Sequence, residues 1–417
     1  MKRVETINKI VIIGGGAAGL MAAFSAAKHG GEVIVLEKMP AIGKKILISG
    51  KGRCNFTNNC SAREFIENMP GNGQFLYSAY NKFNNEDVID FFKENGMESK
   101  VERGGRVFPI SDKSRDVIDV FEKVLRSLNV KILTNQTVEK IQINTDNTFS
   151  VQTKGEIYQA DKVIITTGGA SYPLTGSTGD GYKLAETFGH VVTPLKPSLV
   201  PLVTEEEWVK DLQGLSSKNM EATAFADGVK IDQEFGEMLF THFGLSGPII
   251  LSLSRKIATA LENKQSVTVQ INLKPALSEE VLDNRLKRDF EKFSRKQIKN
   301  AINELLPQKL INIIIDMSFI DPEKYVNQIT KEERKRLLDT LRKLTFTIVK
   351  LRPLSEAIVT AGGVSTKEIN SSTMESKIIK GLYFAGEVID IDGYTGGFNL
   401  QAAFSTGHLA GMEAATN

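Results

Sequence analysis

Cysteine is almost absent: Cys54 and Cys60, six residues apart, are the only two in 417 residues, too few for a disulfide framework or a metal quartet. Histidine occurs four times. His29, His190, His242 and His408 are scattered, with no HExxH, paired-His or Ser-His-Asp spacing, so neither metal nor hydrolytic chemistry has a motif to rest on. Net charge is nearly absent as well. Fifty-two Lys+Arg against 50 Asp+Glu leave +2, and no polybasic field points to nucleic acid or to an anionic membrane. Outside Ile10–Ala27, which glycines interrupt, no stretch approaches the roughly 18 apolar residues of a bilayer span. The expectation is a soluble, cytoplasmic protein with a small-molecule substrate, no nucleic-acid or membrane partner and an open oligomeric state. At about 150 residues per domain, two or three domains are expected.

One segment imitates a targeting signal. Lys2 and Arg3 precede an uncharged stretch from Ile10 to Ala27, a basic start followed by an apolar body. Gly14, Gly15, Gly16 and Gly19 interrupt it, and glycines are costly in an apolar helix but required where a strand turns sharply into a helix. Lys9–Ile13 therefore reads as a strand, Leu20–His29 as a helix and Glu32–Leu36 as a second strand ending at Glu37. In this βαβ unit Gly14 permits the tight turn, Gly16 lets backbone approach a pyrophosphate, and Gly19 lets the helix pack on the sheet. The helix start, with Ala18 in its first turn, favours an anion. Glu37, followed by Lys38, stands about twenty residues on, where a carboxylate binds ribose hydroxyls and repels a 2′-phosphate. FAD and NAD both carry the ADP half that this fingerprint recognises.

The far end of the chain points to FAD. Gly381–Phe384 is a short strand that runs into Ala385, Gly386 and Glu387; Asp390 and Asp392 follow, then Gly393, Tyr394, Thr395, Gly396, Gly397, Phe398 and Asn399, and a small-residue helix from Leu400 to Ala414. A carboxylate beyond a strand suits a ribityl hydroxyl, and a glycine-opened helix start suits an electron-rich ring edge. Thr167, Gly168 and Gly169, after the strand Lys162–Ile165, resemble the Thr-Gly-rich strand exit that passes near the pyrophosphate in flavoproteins of this fold, and Val138, in the run Ile132–Ile141, stands where such proteins contact adenine through backbone. A second dinucleotide fingerprint is missing, so NAD(P)H, admitted as a reductant, binds elsewhere or the organic substrate is itself the donor.

Between these ends, Gly43 to Asn58 sets Lys44, Lys45, Lys51 and Arg53 among Gly43, Ser49, Gly50, Gly52, Cys54 and Asn55. Backbone and cationic donors at close range suit a flavin-embracing loop; a solvated basic loop is the alternative. Cys54 lacks CxxC spacing to Cys60 and reads as a packed residue. This segment, with Gly168–Gly181, Glu237–Pro248 and Thr360–Gly407, resembles a bacterial group labelled NAD(FAD)-utilising dehydrogenases, some of them described as aminoacetone oxidase-like. The resemblance spans nearly the whole chain. It implies a flavoprotein with a two-part insertion, a β-barrel and a helical bundle, and no established substrate.

The fold class expected is α/β: a Rossmann-like FAD-binding domain over residues 1–194 and 345–417, a β-barrel-like insertion over 195–275 and a helical subdomain over 276–344. Asp227–Gly228 breaks the β-rich runs, Ser278 and Thr330 open helices, and in Thr241–Pro248 Ser246 is placed as an N-cap with Pro248 in the first turn. Because the insertion leaves and re-enters one domain, it is expected to form a lobe over the flavin ring. His242, Arg53 and Tyr394 are the catalytic candidates. The function expected is FAD-dependent oxidoreduction of a small molecule; the alternative is a flavin-dependent RNA-modifying or RNA-binding protein. The runs Arg285–Arg288 and Lys331–Arg336 would serve the alternative, but Glu280, Asp283, Asp289, Glu332 and Glu333 beside them favour a solvated helix face.

The purified protein is expected to be yellow and to release FAD on denaturation, as read by chromatography of the freed cofactor. Release of FMN alone would contradict the fingerprint, since FMN has no ADP half.

Overall fold

The computed structural model describes residues 7–417. The chain divides into two compact units, one running to Ser198 and resuming over Ala357–Asn417, the other Leu199–Glu356.

The first unit is built on a parallel sheet. Strand β1 (Lys9–Ile13) leads through helix α1 (Ala17–Lys28) to β2 (Glu32–Leu36), and the short helix α2 (Lys44–Ile48) follows; β3 (Lys131–Leu133), β4 (Lys162–Ile165) and β5 (Leu382–Phe384) complete the order β5-β4-β1-β2-β3. Both faces of the sheet are covered, so its central strands are near-continuous aliphatic runs instead of alternating ones. Pairing of Phe384 with Ile165, Ile165 with Ile13, Ile13 with Leu36 and Leu36 with Leu133 aligns the strand ends in one row. Every exit from the sheet therefore opens on one rim.

Helix α3 (Phe398–Thr416) packs along α1. Their backbones touch because the crossing positions carry no side chain: a Cβ at Gly407 would collide with the Ala18 carbonyl oxygen, and one at Gly411 with that of Ala22. The helix starts at Phe398, two residues before the expected Leu400, since Gly397 already has the non-helical φ of 101° that marks its cap.

The second unit centres on a closed barrel of six antiparallel strands, in the order 202–204, 244–246, 229–241, 216–226, 267–272 and 344–351. Asp227–Gly228 forms the expected hairpin tip, with both residues at positive φ. The strand Leu344–Leu351 pairs with 267–272 and with 202–204 and closes the barrel. The first unit accordingly resumes at Ala357 and not at 345. Barrel residues such as Phe240 and Phe346 share one buried core with Leu286, Ile314 and Leu337 from the helices, so the two expected insertions form one folded unit. Ser278 and Thr330 cap the helices Glu279–Lys292 and Lys331–Arg342, Thr330 in a full capping box. Ser246 does not cap. It ends the strand Gly244–Ser246, and Gly247 takes the cap position with Pro248 first in the helix. Among the described residues no helix is long and apolar enough to cross a membrane.

The α1–α3 contact can be tested directly. Gly411→Val should lower stability by about 1–3 kcal/mol through overpacking, read as a shift in the urea midpoint. Gly155→Ala, at a position with open space around it, should stay within about 0.5 kcal/mol of the parent. Equal effects would mean that the helices are not held at backbone contact.

Candidate functional site

The rim of the parallel sheet carries most of the residues singled out in the sequence. Gly14 turns the chain at φ 106° and donates its N–H to the Leu36 carbonyl at 2.8 Å. Gly19 seats α1 on that turn, where a Cβ would collide with the Gly14 carbonyl oxygen. Gly16 caps α1 without a side-chain hydrogen bond, no acidic residue lies in the first turn, and a Cβ built on Gly16 meets nothing within 4 Å. The first-turn amides thus face open space at the positive end of the helix dipole. Glu37 is 8% exposed and is fixed by two amides, Gly15 N–H to Oε2 at 2.6 Å and Met39 N–H to Oε1 at 2.7 Å. Each carboxylate oxygen retains a lone pair for a further donor.

The neighbouring exits add a second set of groups. Thr166 holds the glycine turn through Oγ1, 2.9 Å from the carbonyls of Ile13 and Gly14. Thr167 Oγ1 is buried without a hydrogen-bond partner. Beyond it, a Cβ on Gly169 would press on Thr360 and Glu387. Glu387 receives Lys45 Nζ at 2.7 Å, Thr360 N–H at 2.8 Å and Ser171 Oγ at 3.2 Å. Four chain segments therefore meet at one carboxylate. Ser171 and Thr360 were not among the expected site residues; the repeated Thr-x-Gly-Gly at Thr166–Gly169 and Thr360–Gly363, each at the end of a strand, was the available signal. Lys38 turns aside to Thr178 and, at 2.6 Å, to Asp180. Gly43 N–H reaches the Gly15 carbonyl at 2.8 Å, which brings the segment starting at Gly43 onto the glycine turn.

That segment is not an open loop. Lys44–Ile48 is helical, and Ser49–Gly52 forms a tight turn in which Gly50 and Lys51 are left-handed. Ser49 Oγ is spent on the Ile46 carbonyl at 2.7 Å, and Asn55 Oδ1 accepts from Val107 N–H at 3.1 Å. Arg53, expected as a free cation, bonds Glu102 and Asp112 and lies over the Phe108 ring at 4.1 Å. These carboxylates hold its guanidinium above its ordinary range and are themselves lowered by it. Its charge is engaged by these two carboxylates. Burial pushes the Cys54 thiol up to about 12, so it carries no thiolate.

The block at residues 392–399 is likewise tied to its own surroundings. Asp392 is buried and accepts from Ser198 Oγ at 2.9 Å. Asn399 bridges the Gly393 backbone and the Tyr394 carbonyl. Gly396 O accepts from Asn58 Nδ2 at 2.9 Å, while Gly397 opens α3 and Phe398 is buried. Gly386 lies against Ala18, and Gly168 is left-handed at φ 71°. The run 132–141 is not one strand: β3 ends at Leu133, and Val138, buried, starts a separate three-stranded sheet. Between them Gln136 N–H holds the Glu37 carbonyl at 2.9 Å. His242 belongs to the other unit, exposed beside Phe243.

An uncapped helix start, open space at Gly16, an unpartnered Thr167 hydroxyl and a carboxylate with spare lone pairs are the donor and acceptor set that an ADP moiety requires. Residues 8–413 match the family described as HI0933-like protein Rossmann domain. The chain belongs to this family. As an HI0933-like protein it is 32% identical over 411 residues to a 3-dehydro-bile acid delta(4,6)-reductase of Clostridium scindens, covering 98% of this chain and 99% of that one. It is 34% identical over 406 residues to a ribosomal RNA dihydrouridine synthase of Haemophilus influenzae, covering 96% and 97%. Among solved structures, a 3-ketosteroid delta1-dehydrogenase from Sterolibacterium denitrificans superposes with a TM-score of 0.54, over 98% of this chain and 99% of that one; at 12% identity it shows the fold alone. The HI0933-like chain is an FAD-dependent oxidoreductase.

Two substitutions separate binding from folding. Gly16→Val places its branched carbons in open space, so the protein should fold with an unchanged thermal midpoint as apoprotein and purify colourless. Glu37→Ala should weaken FAD by about 1.5–3 kcal/mol, the worth of a charged hydrogen bond, read by equilibrium dialysis. A yellow Gly16→Val protein would remove the glycine turn from the cofactor site.

Proposed function

We propose that this FAD-dependent oxidoreductase reduces a carbon–carbon double bond conjugated to a carbonyl group. The observation that carries the reading is the pair of full-length relatives at 32% and 34% identity. A delta(4,6)-reductase of a 3-dehydro steroid and a dihydrouridine synthase act on unrelated molecules, yet both names describe saturation of a ring double bond in conjugation with a carbonyl. One chemistry serves both. FAD, when bound and reduced by NADH or NADPH, would supply the hydride for the carbon remote from the carbonyl and return to its oxidised form. The chain must then deliver a proton to the adjacent carbon and hold the carbonyl oxygen while charge builds on it.

In this reading the glycine turn Gly14–Gly19 and Glu37 hold the ADP half, and Thr167, Gly168, Gly169 and Gly386 line the path of the diphosphate. Lys45 takes the more distant part of the cofactor. Its ammonium has three N–H bonds, and Ser171 at 2.8 Å and Glu387 at 2.7 Å use two of them. The remaining one can reach an electron-rich ring edge. His242 is assigned the proton. His190 is buried and His408 half-buried, and desolvation lowers both, His408 to about 4; His29 bonds the Ser25 carbonyl at the far end of α1 from the glycine turn. His242 is the exposed histidine of the block Thr241–Pro248, and Tyr394 is the further candidate. NADH or NADPH is the proposed source of electrons.

The test is anaerobic. NADH or NADPH should bleach the flavin, and a Δ4-3-oxosteroid or uracil-containing RNA should restore the yellow colour with a saturated product found by mass spectrometry. A saturated ketone should not. His242→Gln should slow the recolouring at least about a hundredfold and leave bleaching unchanged. If aminoacetone bleaches the oxidised protein and no conjugated double bond recolours it, the protein is an amine oxidase and the reading falls.

A further inference from the structure

The basic runs that drew attention in the sequence are largely neutralised. Within the second unit Arg285 pairs with Asp289 at 3.0 Å, Lys287 with Asp283 at 2.7 Å, Arg334 with Asp283 at 2.8 Å, and Lys335 with Glu279 at 2.7 Å. The unpaired charge lies at the end of the first run and just past the end of its helix. Arg288, Arg295 and Lys296 are exposed and have no carboxylate within ion-pair distance among the described residues. Lys292 and Lys296 both sit 4.6 Å over the ring of Phe293, which holds two ammonium groups on one small surface. Glu304 faces them, but Lys292 engages it at 2.9 Å, and exposed Glu291 is the remaining acid of the turn.

An aromatic side chain stands at the edge of this surface. Gln297 bridges Tyr325 as an isolated antiparallel pair, and Val326 N–H bonds the Lys296 carbonyl at 3.0 Å. This backbone pairing fixes Tyr325, 48% exposed, against the chain at Lys296 and Gln297. Surplus cations next to a held, exposed aromatic ring are what single-stranded nucleic acid binds: phosphates on the cations, a base on the ring. An acidic protein surface would use the cations and leave the ring without a role.

We propose that Arg288, Arg295, Lys296 and Tyr325 form a docking surface for a single-stranded stretch of RNA. The proposal rests on the uracil arm of the function proposed above. The experiment uses the FAD-loaded protein and a fluorescently labelled uracil-rich RNA. Arg288→Glu/Arg295→Glu/Lys296→Glu should bind at least tenfold more weakly, with a log-affinity against log-salt slope shallower by about two, from roughly 0.7 per phosphate contact. Tyr325→Ala should weaken binding and leave that slope unchanged. FAD content and bleaching by NADH or NADPH should match the parent in both variants. A parent that binds RNA alongside a triple variant of equal affinity and slope overturns the surface alone; a parent that binds no RNA overturns the surface and the uracil reading together.

Discussion

At Gly19 the first turn of α1 lies against the Gly14 carbonyl so closely that no side chain fits between them. The rest of the first unit depends on that contact. It sets how far the helix start stands from the sheet, and hence where its uncapped amides point. It also leaves Ala18 at a crossing of three segments, in contact with Gly386 from the last strand exit and with Gly407 from α3. A larger residue at any of these positions would push apart the two ends of the chain, which together form the rim.

The helix start and the Glu387 node meet a ligand with different chemistry. Around Gly16 the donors are neutral amides and the one nearby carboxylate, Glu37, is anchored by backbone. Such a site is rigid and its electrostatics change little with surroundings. At Glu387 a carboxylate and an ammonium oppose each other in a half-buried setting, with Ser171 and Thr360 completing the carboxylate's shell. Glu387 Oε1 takes two donors there and Oε2 takes Lys45 alone, so the carboxylate orients the lysine and keeps acceptor capacity on Oε2.

How much of this was legible follows from the range of the interactions. The unit Lys9–Glu37 was readable because its signals are local: an aliphatic run, glycines at fixed offsets, a carboxylate at the end of the next strand. Ser278 and Thr330 were readable as caps for the same reason. The pairing of Arg53 was not readable, because Glu102 and Asp112, which bond it, are 49 and 59 positions away. Asp392 is answered by Ser198, 194 positions distant. Leu344–Leu351 alternates as a strand should, but its membership of the barrel depends on partners at 202–204 and 267–272, before the intervening helices.

Charge shows the same limit in another form. A net charge of +2 is a sum, and a sum near zero restricts long-range steering while saying nothing about a surface a few residues wide. In the helices of the second unit the dense basic runs are largely quiet, because Asp289 and Asp283 stand one turn from Arg285 and Lys287, and Asp283 and Glu279 reach Arg334 and Lys335 from the neighbouring helix. The residues that follow have fewer acids within reach and keep their field. Density of like charge along a sequence therefore identifies the wrong surface when the acids are interleaved at helical spacing, and the cations left without a carboxylate after folding are the ones a polyanion would meet.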